Sequence, residues 1–267
     1  MICPPVTSFL DMFLESRPKN LPLRTYRGAW YPVDLVLVRA LPNFRHLVEL
    51  SIDILSRPRN APEGIVVPVS LPALRFLTVA AHYPSPALSW VSRWNLPSLE
   101  YLAVRSEDCS EYELFMALTN FGHKLKKIYL RGLFETGSLS NLNNQCPALV
   151  HLEIDWTECF LPFPPCSKVE TIVFHNTAWL MHVLKPAFLG QLLKIVSENT
   201  KWSALHTIQD MSVSCTTFRG RKVRWWDSAV LQATVCVGIN VIDREGRNLR
   251  QGDIVQPDGT DYPAYVN

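Results

Sequence analysis

Cys146, His151, Cys159 and Cys166 are the residues of this chain that most invite a chemical reading, because thiolate and imidazole are the ligands zinc prefers. Their spacing argues against a metal site. Structural zinc sites draw cysteines from pairs about two to four residues apart, and no such pair occurs here. His151-x-Glu153 reproduces half of a zinc-deaminase signature, but no Pro-Cys-x-x-Cys follows it. The chain also lacks a Gly-x-x-x-x-Gly-Lys phosphate loop, a Gly-x-Gly-x-x-Gly turn and a Gly-x-Ser-x-Gly nucleophile elbow. Beyond residue 200, His206, Asp210, Cys215 and Asp227 could serve acid–base or nucleophilic chemistry, yet they share no recognisable spacing. The sequence therefore predicts no enzyme: no catalytic residue, no metal and no cofactor.

Binding chemistry is better represented. Arg219-Gly-Arg-Lys-Val-Arg224 followed by Trp225-Trp226 is the one basic, aromatic cluster, the composition of a nucleic-acid contact or a localisation signal. With a net charge of only +2, nucleic acid is not expected, and a hairpin with a charged turn explains the cluster. A second group is more suggestive: Tyr101, Arg105, Lys127, Tyr129 and Arg131, followed by His151, Glu153 and Asp155. Tyrosine and arginine dominate interface hot spots, and a guanidinium grips a carboxylate or phosphate through two parallel hydrogen bonds. Such residues act together only if one face of the structure carries them all.

A repeated phrase supplies that face. Leu71-Pro72-Ala73-Leu74 leads into Leu77 and Val79, Leu96-Pro97-Ser98-Leu99 into Leu102 and Val104, and Cys146-Pro147-Ala148-Leu149 into Leu152 and Ile154. Weaker copies are Leu47/Leu50/Ile52, Leu125/Ile128/Leu130 and Val169/Ile172/Phe174, and a last begins at Leu205/Ile208, where Asp210 replaces the third apolar residue. Leu-x-x-Leu-x-Leu recurring at an interval in the twenties is the mark of a leucine-rich repeat. Side chains alternate along a strand, so each triplet faces inward and the residues between face outward. One such strand cannot bury its apolar side alone, and stacked parallel copies can. The predicted fold class is α/β: a leucine-rich-repeat solenoid, a horseshoe with parallel strands on the concave face and helices and loops on the convex face. Tyr101, Arg105, Lys127, Tyr129, Arg131, His151, Glu153 and Asp155 then line the concave face and meet a protein target, with an acidic or phosphorylated segment as the reading that Arg105 and Arg131 favour.

The expected organisation runs from a capping helix over 1–20 (Phe9, Leu10, Phe13 and Leu14 inward) to repeats over 21–210. A mostly β extension or cap follows over 211–255, read as hairpins 210–226 and 234–255, and then a flexible tail over 256–267. Helices are expected after Ser85-Pro86, after the capping box Ser110-Glu111-Tyr112-Glu113, and from Pro186 through Val196. Cys146 fills the apolar slot of Leu71 and Leu96. Seven scattered cysteines favour reduced thiols and an intracellular, cytoplasmic or nuclear protein, and neither a signal peptide nor a membrane span is legible.

The Leu-Pro-x-Leu-x-x-Leu-x-Val phrases, and the opening Phe13-Leu14-Glu15-Ser16-Arg17-Pro18-Lys19-Asn20-Leu21-Pro22-Leu23, resemble the leucine-rich-repeat region of F-box-like proteins from mushroom-forming fungi. The likeness spans residues 8–210. It implies that the repeats hold a target protein while an F-box docks on a cullin-type ubiquitin ligase through an adaptor. No F-box is visible, since the residues ahead of the first strand are too few for its helical bundle. The expected function is a recognition scaffold, the target-binding part of a ubiquitin ligase receptor; the alternative is an orphan structural scaffold unconnected to ubiquitin.

Overall fold

In a computed structural model, residues 23–30, 41–54, 69–81, 88, 91–109, 111–134, 141–155, 165–175, 185–212 and 226–250 are described. They fall into two compact units, the first ending at Val150 and the second starting at His151. The expected capping helix, the segment after Ser85, most of the 210–226 hairpin and the tail lie outside the described residues.

The first unit carries strands β1 (Thr25–Trp30), β2 (Glu49–Ile54), β3 (Phe76–Ala81), β4 (Tyr101–Cys109) and β5 (Lys127–Phe134), with helices α1 (Glu111–Phe121) and α2 (Leu142–Gln145). Each strand pairs with the next in sequence, and every pairing is parallel. The second unit repeats the arrangement with β6 (His151–Asp155), β7 (Thr171–His175), β8 (Thr207–Asp210) and β9 (Asn240–Ile242), again parallel, and with helices α3 (Lys185–Ser197) and α4 (Ser228–Cys236). The class is α/β with parallel strands.

The triplets account for the register. Leu50, Leu77, Leu102 and Ile128 stand side by side across β2 to β5, as do Ile52, Val79, Val104 and Leu130. All eight are buried, together with Leu47, Leu74, Leu99 and Leu125 ahead of the strands. Full burial of each such side chain contributes about 1.5–3 kcal/mol, so the ladder of aligned leucines is the main cohesive force of the sheet.

A turn introduces β2 to β8, and it too repeats. Leu74 N–H donates to Leu71 C=O, Leu99 to Leu96, Leu125 to Gly122 and Leu149 to Cys146, and in the second unit Val169 donates to Cys166 and Leu205 to Trp202. In the Leu-Pro and Cys-Pro copies the proline stands second in this four-residue turn, where its fixed φ is already correct and no amide is required. The first residue of the turn points inward. Leu71, Leu96, Cys146, Cys166 and Trp202 are all buried there, as the apolar reading of Cys146 requires. Gly122 fills the slot in the copy between Leu96 and Cys146, because a Cβ would stand 2.7 Å from Gln145 O and 2.9 Å from Cys146 Sγ. The amides of the entering residues then reach across: Arg75 and Phe76 donate to Val48 C=O, Glu100 and Tyr101 to Arg75, Lys126 and Lys127 to Glu100.

The helices follow the apolar spacing with one exception. On α1, Leu114, Ala117, Leu118 and Phe121 face the core, while Phe115, apolar and adjacent to them in sequence, stands outward with Tyr112 and Met116. On α3, Phe188, Leu192 and Ile195 are buried, and the ring of Phe188 meets Phe174 edge-on at 5.2 Å.

The C-terminal extension departs from expectation. Residues 228–236 form a helix, and 240–242 extend the parallel sheet rather than a hairpin. Asp227 is the local cause: its Oδ1 accepts from the amides of Ala229 and Val230, an N-cap that starts α4. Val230, Leu231 and Thr234 then face inward, and Gly238 at φ +86 releases the chain toward β9. What remains of the predicted hairpin is a turn in which Asp243 Oδ1 accepts from Glu245 and Arg247, closed by an antiparallel bridge between Ile242 and Asn248. Asp210, the polar intruder in its triplet, still points inward. It is fully buried and accepts from Trp226 Nε1 at 2.9 Å and from the Ser212 amide.

Gly132 is where the β4–β5 pairing permits no side chain. It sits at φ +138 opposite Ser106, and a Cβ would fall 1.5 Å from Ser106 O, beside the register shift between Ser106 and Cys109. Gly132→Ala must break this approach or distort a backbone that favours glycine, so we expect a loss above about 2 kcal/mol in urea unfolding.

Candidate functional site

With the triplets turned inward, the residues between them stand on the opposite face in three rows. In the first unit one row reads Glu49, Phe76, Tyr101, Lys127; the next Ser51, Thr78, Ala103, Tyr129; the third Asp53, Ala80, Arg105, Arg131. The five residues predicted to bind in this unit therefore share a face of two adjacent strands, about 4.8 Å apart. Lys127 Nζ lies 5.5 Å from the Tyr101 ring centroid, and the Arg105 guanidinium carbon lies 5.3 Å from that of Tyr129. Phe76, which the sequence reading passed over, extends the aromatic surface: its ring is 6.2 Å from that of Tyr101, tilted by 53°. Each such contact contributes about 0.5–1 kcal/mol at an exposed position, enough to orient a side chain and too little to hold a fold. Tyr129 is buried, and so is Ala103 beside it, whereas Arg105 and Arg131 are exposed. The one buried ring, that of Tyr129, thus lies beside exposed guanidinium groups, with the half-buried Tyr101 and the exposed Phe76 extending the aromatic surface.

The three predicted residues of the second unit behave differently. Glu153 holds two imidazoles, with Oε1 3.0 Å from His151 Nε2 and Oε2 3.1 Å from His175 Nε2. An ionised carboxylate only accepts, so both rings present their Nε2–H to it. Each carboxylate oxygen thus engages one imidazole. His175 was missed as a site residue, although it occupies the third row one strand along. Asp155 differs from His151 and Glu153 in its exposure. It is buried, and a carboxylate withdrawn from water this far must be satisfied within the protein, so it is not available to a partner. Among the described residues, no three His, Cys, Asp or Glu side chains are grouped to hold a metal ion. Of the groups after residue 200, Asp210 and Asp227 serve the hydrogen bonds described above, His206 is exposed, and Cys215 lies outside the described residues.

A third feature lies where the strands begin. Arg75, Glu100 and Lys126 each precede a strand by one residue, and Glu100 accepts from Arg75 at 2.7 Å and Lys126 at 3.3 Å. On the outward face itself, Arg27 of β1 donates to Glu49 of β2 through Nε at 2.9 Å and Nη2 at 2.6 Å. Arg75, Pro97, Glu100, Lys124, Lys126 and Ala148 line an open depression of about 490 Å³. The signal was present in the sequence as alternating charge at the repeat interval. Being exposed, these pairs contribute about 0–1 kcal/mol each and serve mainly to order the rim.

No protein-family model matches the chain, and no functionally characterised protein is detectably similar to it.

The hydrogen bond from Arg75, aided by that from Lys126 and opposed by partial burial, holds the Glu100 carboxyl below its ordinary value of 4.5. A carboxyl depressed on folding adds stability above its unfolded pKa, and that stability is lost as pH falls through the folded value. We expect the urea unfolding free energy of Glu100→Gln to lie slightly below that of the wild type at neutral pH, by less than about 1 kcal/mol for an exposed pair, and the two to converge at acid pH.

Proposed function

We propose that the chain is a non-catalytic protein-recognition scaffold of the leucine-rich-repeat type, similar in role to the target-binding part of an F-box-type ubiquitin ligase receptor. One observation carries the reading: the inward positions of β2 to β5 are uniformly aliphatic, while the outward rows in the same register change residue type from strand to strand, Arg105 and Arg131 excepted. A surface that serves only to cover a core needs no such variety. One that gathers Phe76, Tyr101, Lys127, Tyr129, Arg105 and Arg131 presents the residue types on which protein interfaces concentrate their energy. A repeated core with independently variable outward rows is also how solenoids build extended binding faces. Among the described residues no helix is long and apolar enough to cross a membrane.

The ligase connection rests on the resemblance alone, and the orphan scaffold differs from it only in what else is bound. One experiment separates them: affinity purification of the tagged chain from its own host, read by mass spectrometry, beside the variant Tyr101→Ala/Lys127→Ala. The expected outcome is a stable set of proteins with the wild type that the variant loses, although both melt at similar temperatures. An identical set from both would remove this face as the recognition surface. Recovery of a cullin and its adaptor would identify a ligase receptor, and a stable partner without them would identify the orphan scaffold.

A further inference from the structure

We propose that the edge of the first unit where the strands begin binds an acidic segment of a partner protein, on a surface separate from the outward rows.

Position is the first argument. The residues that enter the strands stand in line, because the carbonyls of Arg24, Val48, Arg75 and Glu100 each accept the amides of the next entering pair. The line reads Arg24, Val48, Arg75, Glu100, Lys126, and Arg45 and Lys124 stand in the turns that lead into β2 and β5. Arg24, Arg45, Arg75, Lys124 and Lys126 are all exposed, and Glu100 is the one carboxylate at these positions. In a chain whose net charge is only +2, this is a concentration of positive charge. The repeat does not impose it, since the same positions of the second unit mix Lys168 with Glu170.

The second argument is how these charges are held. Arg75 donates to Glu100 at 2.7 Å and Lys126 at 3.3 Å, so one carboxylate serves two cations. Lys124 Nζ donates to the neutral carbonyl of Pro97 at 2.6 Å. Among the described residues neither Arg24 nor Arg45 forms an ion pair. The balance is therefore positive. These bonds place the charged ends of Arg75, Lys124 and Lys126 around the depression of about 490 Å³, which Pro97 and Ala148 line with apolar surface. Exposed ion pairs contribute about 0–1 kcal/mol, so an incoming carboxylate can share the same cations at little cost.

Dimensions and chemistry select the ligand. Arg24 and Lys126 are four strand steps apart, about 19 Å at about 4.8 Å per step. An extended peptide advances about 3.3 Å per residue and turns every second side chain to one side, so about six residues cover the edge. Acidic side chains on that side meet the cations, and an apolar one between them enters the depression. A nucleic acid carries a charge at every nucleotide and would set one against Glu100, whereas a peptide varies its charge along its length.

The test uses the full chain and fluorescein-labelled peptides of about ten residues, longer than the edge requires. One pool has Asp or Glu at alternate positions with degenerate residues between, and its match has Asn or Gln in their place. Binding is read by fluorescence anisotropy. The acidic pool should bind at least roughly tenfold tighter at low salt, and the difference should shrink as salt rises. Arg45→Ala/Arg75→Ala and Lys124→Ala/Lys126→Ala should each lose most of the preference, and Lys194→Ala on α3 should keep it, with matched melting curves to establish that each variant is folded. Glu100→Gln should bind the acidic pool more tightly, a gain that mere loosening of Arg75 and Lys126 would not produce. Equal binding of the two pools, a preference that survives both double variants, or weaker binding by Glu100→Gln would overturn the proposal. So would tighter binding of single-stranded oligouridine or of phosphatidylserine vesicles through the same residues. Failure here leaves the outward face standing, because that reading is tested by partner capture with Tyr101→Ala/Lys127→Ala.

Discussion

The structure depends on the side-by-side burial of aliphatic triplets on parallel strands. Neither a single strand of three to nine residues nor its preceding turn buries enough apolar area to persist alone. Leu77 and Val79 become a core only because Leu50 and Ile52 lie on one side and Leu102 and Val104 on the other. The stack fixes strand order, direction and register together, since a slip of one residue would turn the leucines outward and the tyrosines and arginines inward. The turn hydrogen bond ahead of β2 to β8 sets each copy at the same offset from its strand, and in the Leu71, Leu96 and Cys146 copies a proline in its second position removes part of the conformational freedom that would otherwise be lost on folding.

Separating cohesion from the outward face has a functional consequence. The contacts on that face are ring stacking, cation–π pairs and exposed ion pairs, each contributing a fraction of what one buried leucine contributes. Substitutions there leave the fold nearly unchanged, so the face can be shaped by what it binds. Tyr129 is the partial exception: its ring is buried yet it carries Arg105, joining core to surface at one point. The second unit uses its outward face differently. Glu153 draws His151 and His175 into a closed hydrogen-bonded set, and Asp155 is buried, so the acidic edge legible in the sequence is largely spent within the protein.

Most of the fold could be read from spacing. The triplets located seven of the nine strands seen among the described residues, including β8, where Asp210 interrupts the pattern but Leu205 and Ile208 maintain it. Reading failed where two periodicities compete. Ala229 to Ile242 is apolar enough for either strand or helix, and the choice turns on the Asp227 cap and on Gly238, signals of one residue each. The site was legible in part, because alternation states which residues face outward. It does not state how far each one sinks, so the burial of Asp155 and Tyr129 was hidden. Nor does it reveal pairing across strands, which needs the register: Phe76 with Tyr101, and Glu153 with His175, became visible only there.

The most direct test of this account is the urea unfolding free energy of Leu102→Ala. Leu102 lies at the middle of the ladder, fully buried between Leu77 and Ile128. If aligned leucines are the main cohesive force, the variant should lose about 2–5 kcal/mol, as truncation of a well-packed core leucine does. A loss below about 1 kcal/mol would mean that this position is not in a packed core, and the stacked, in-register arrangement would be wrong.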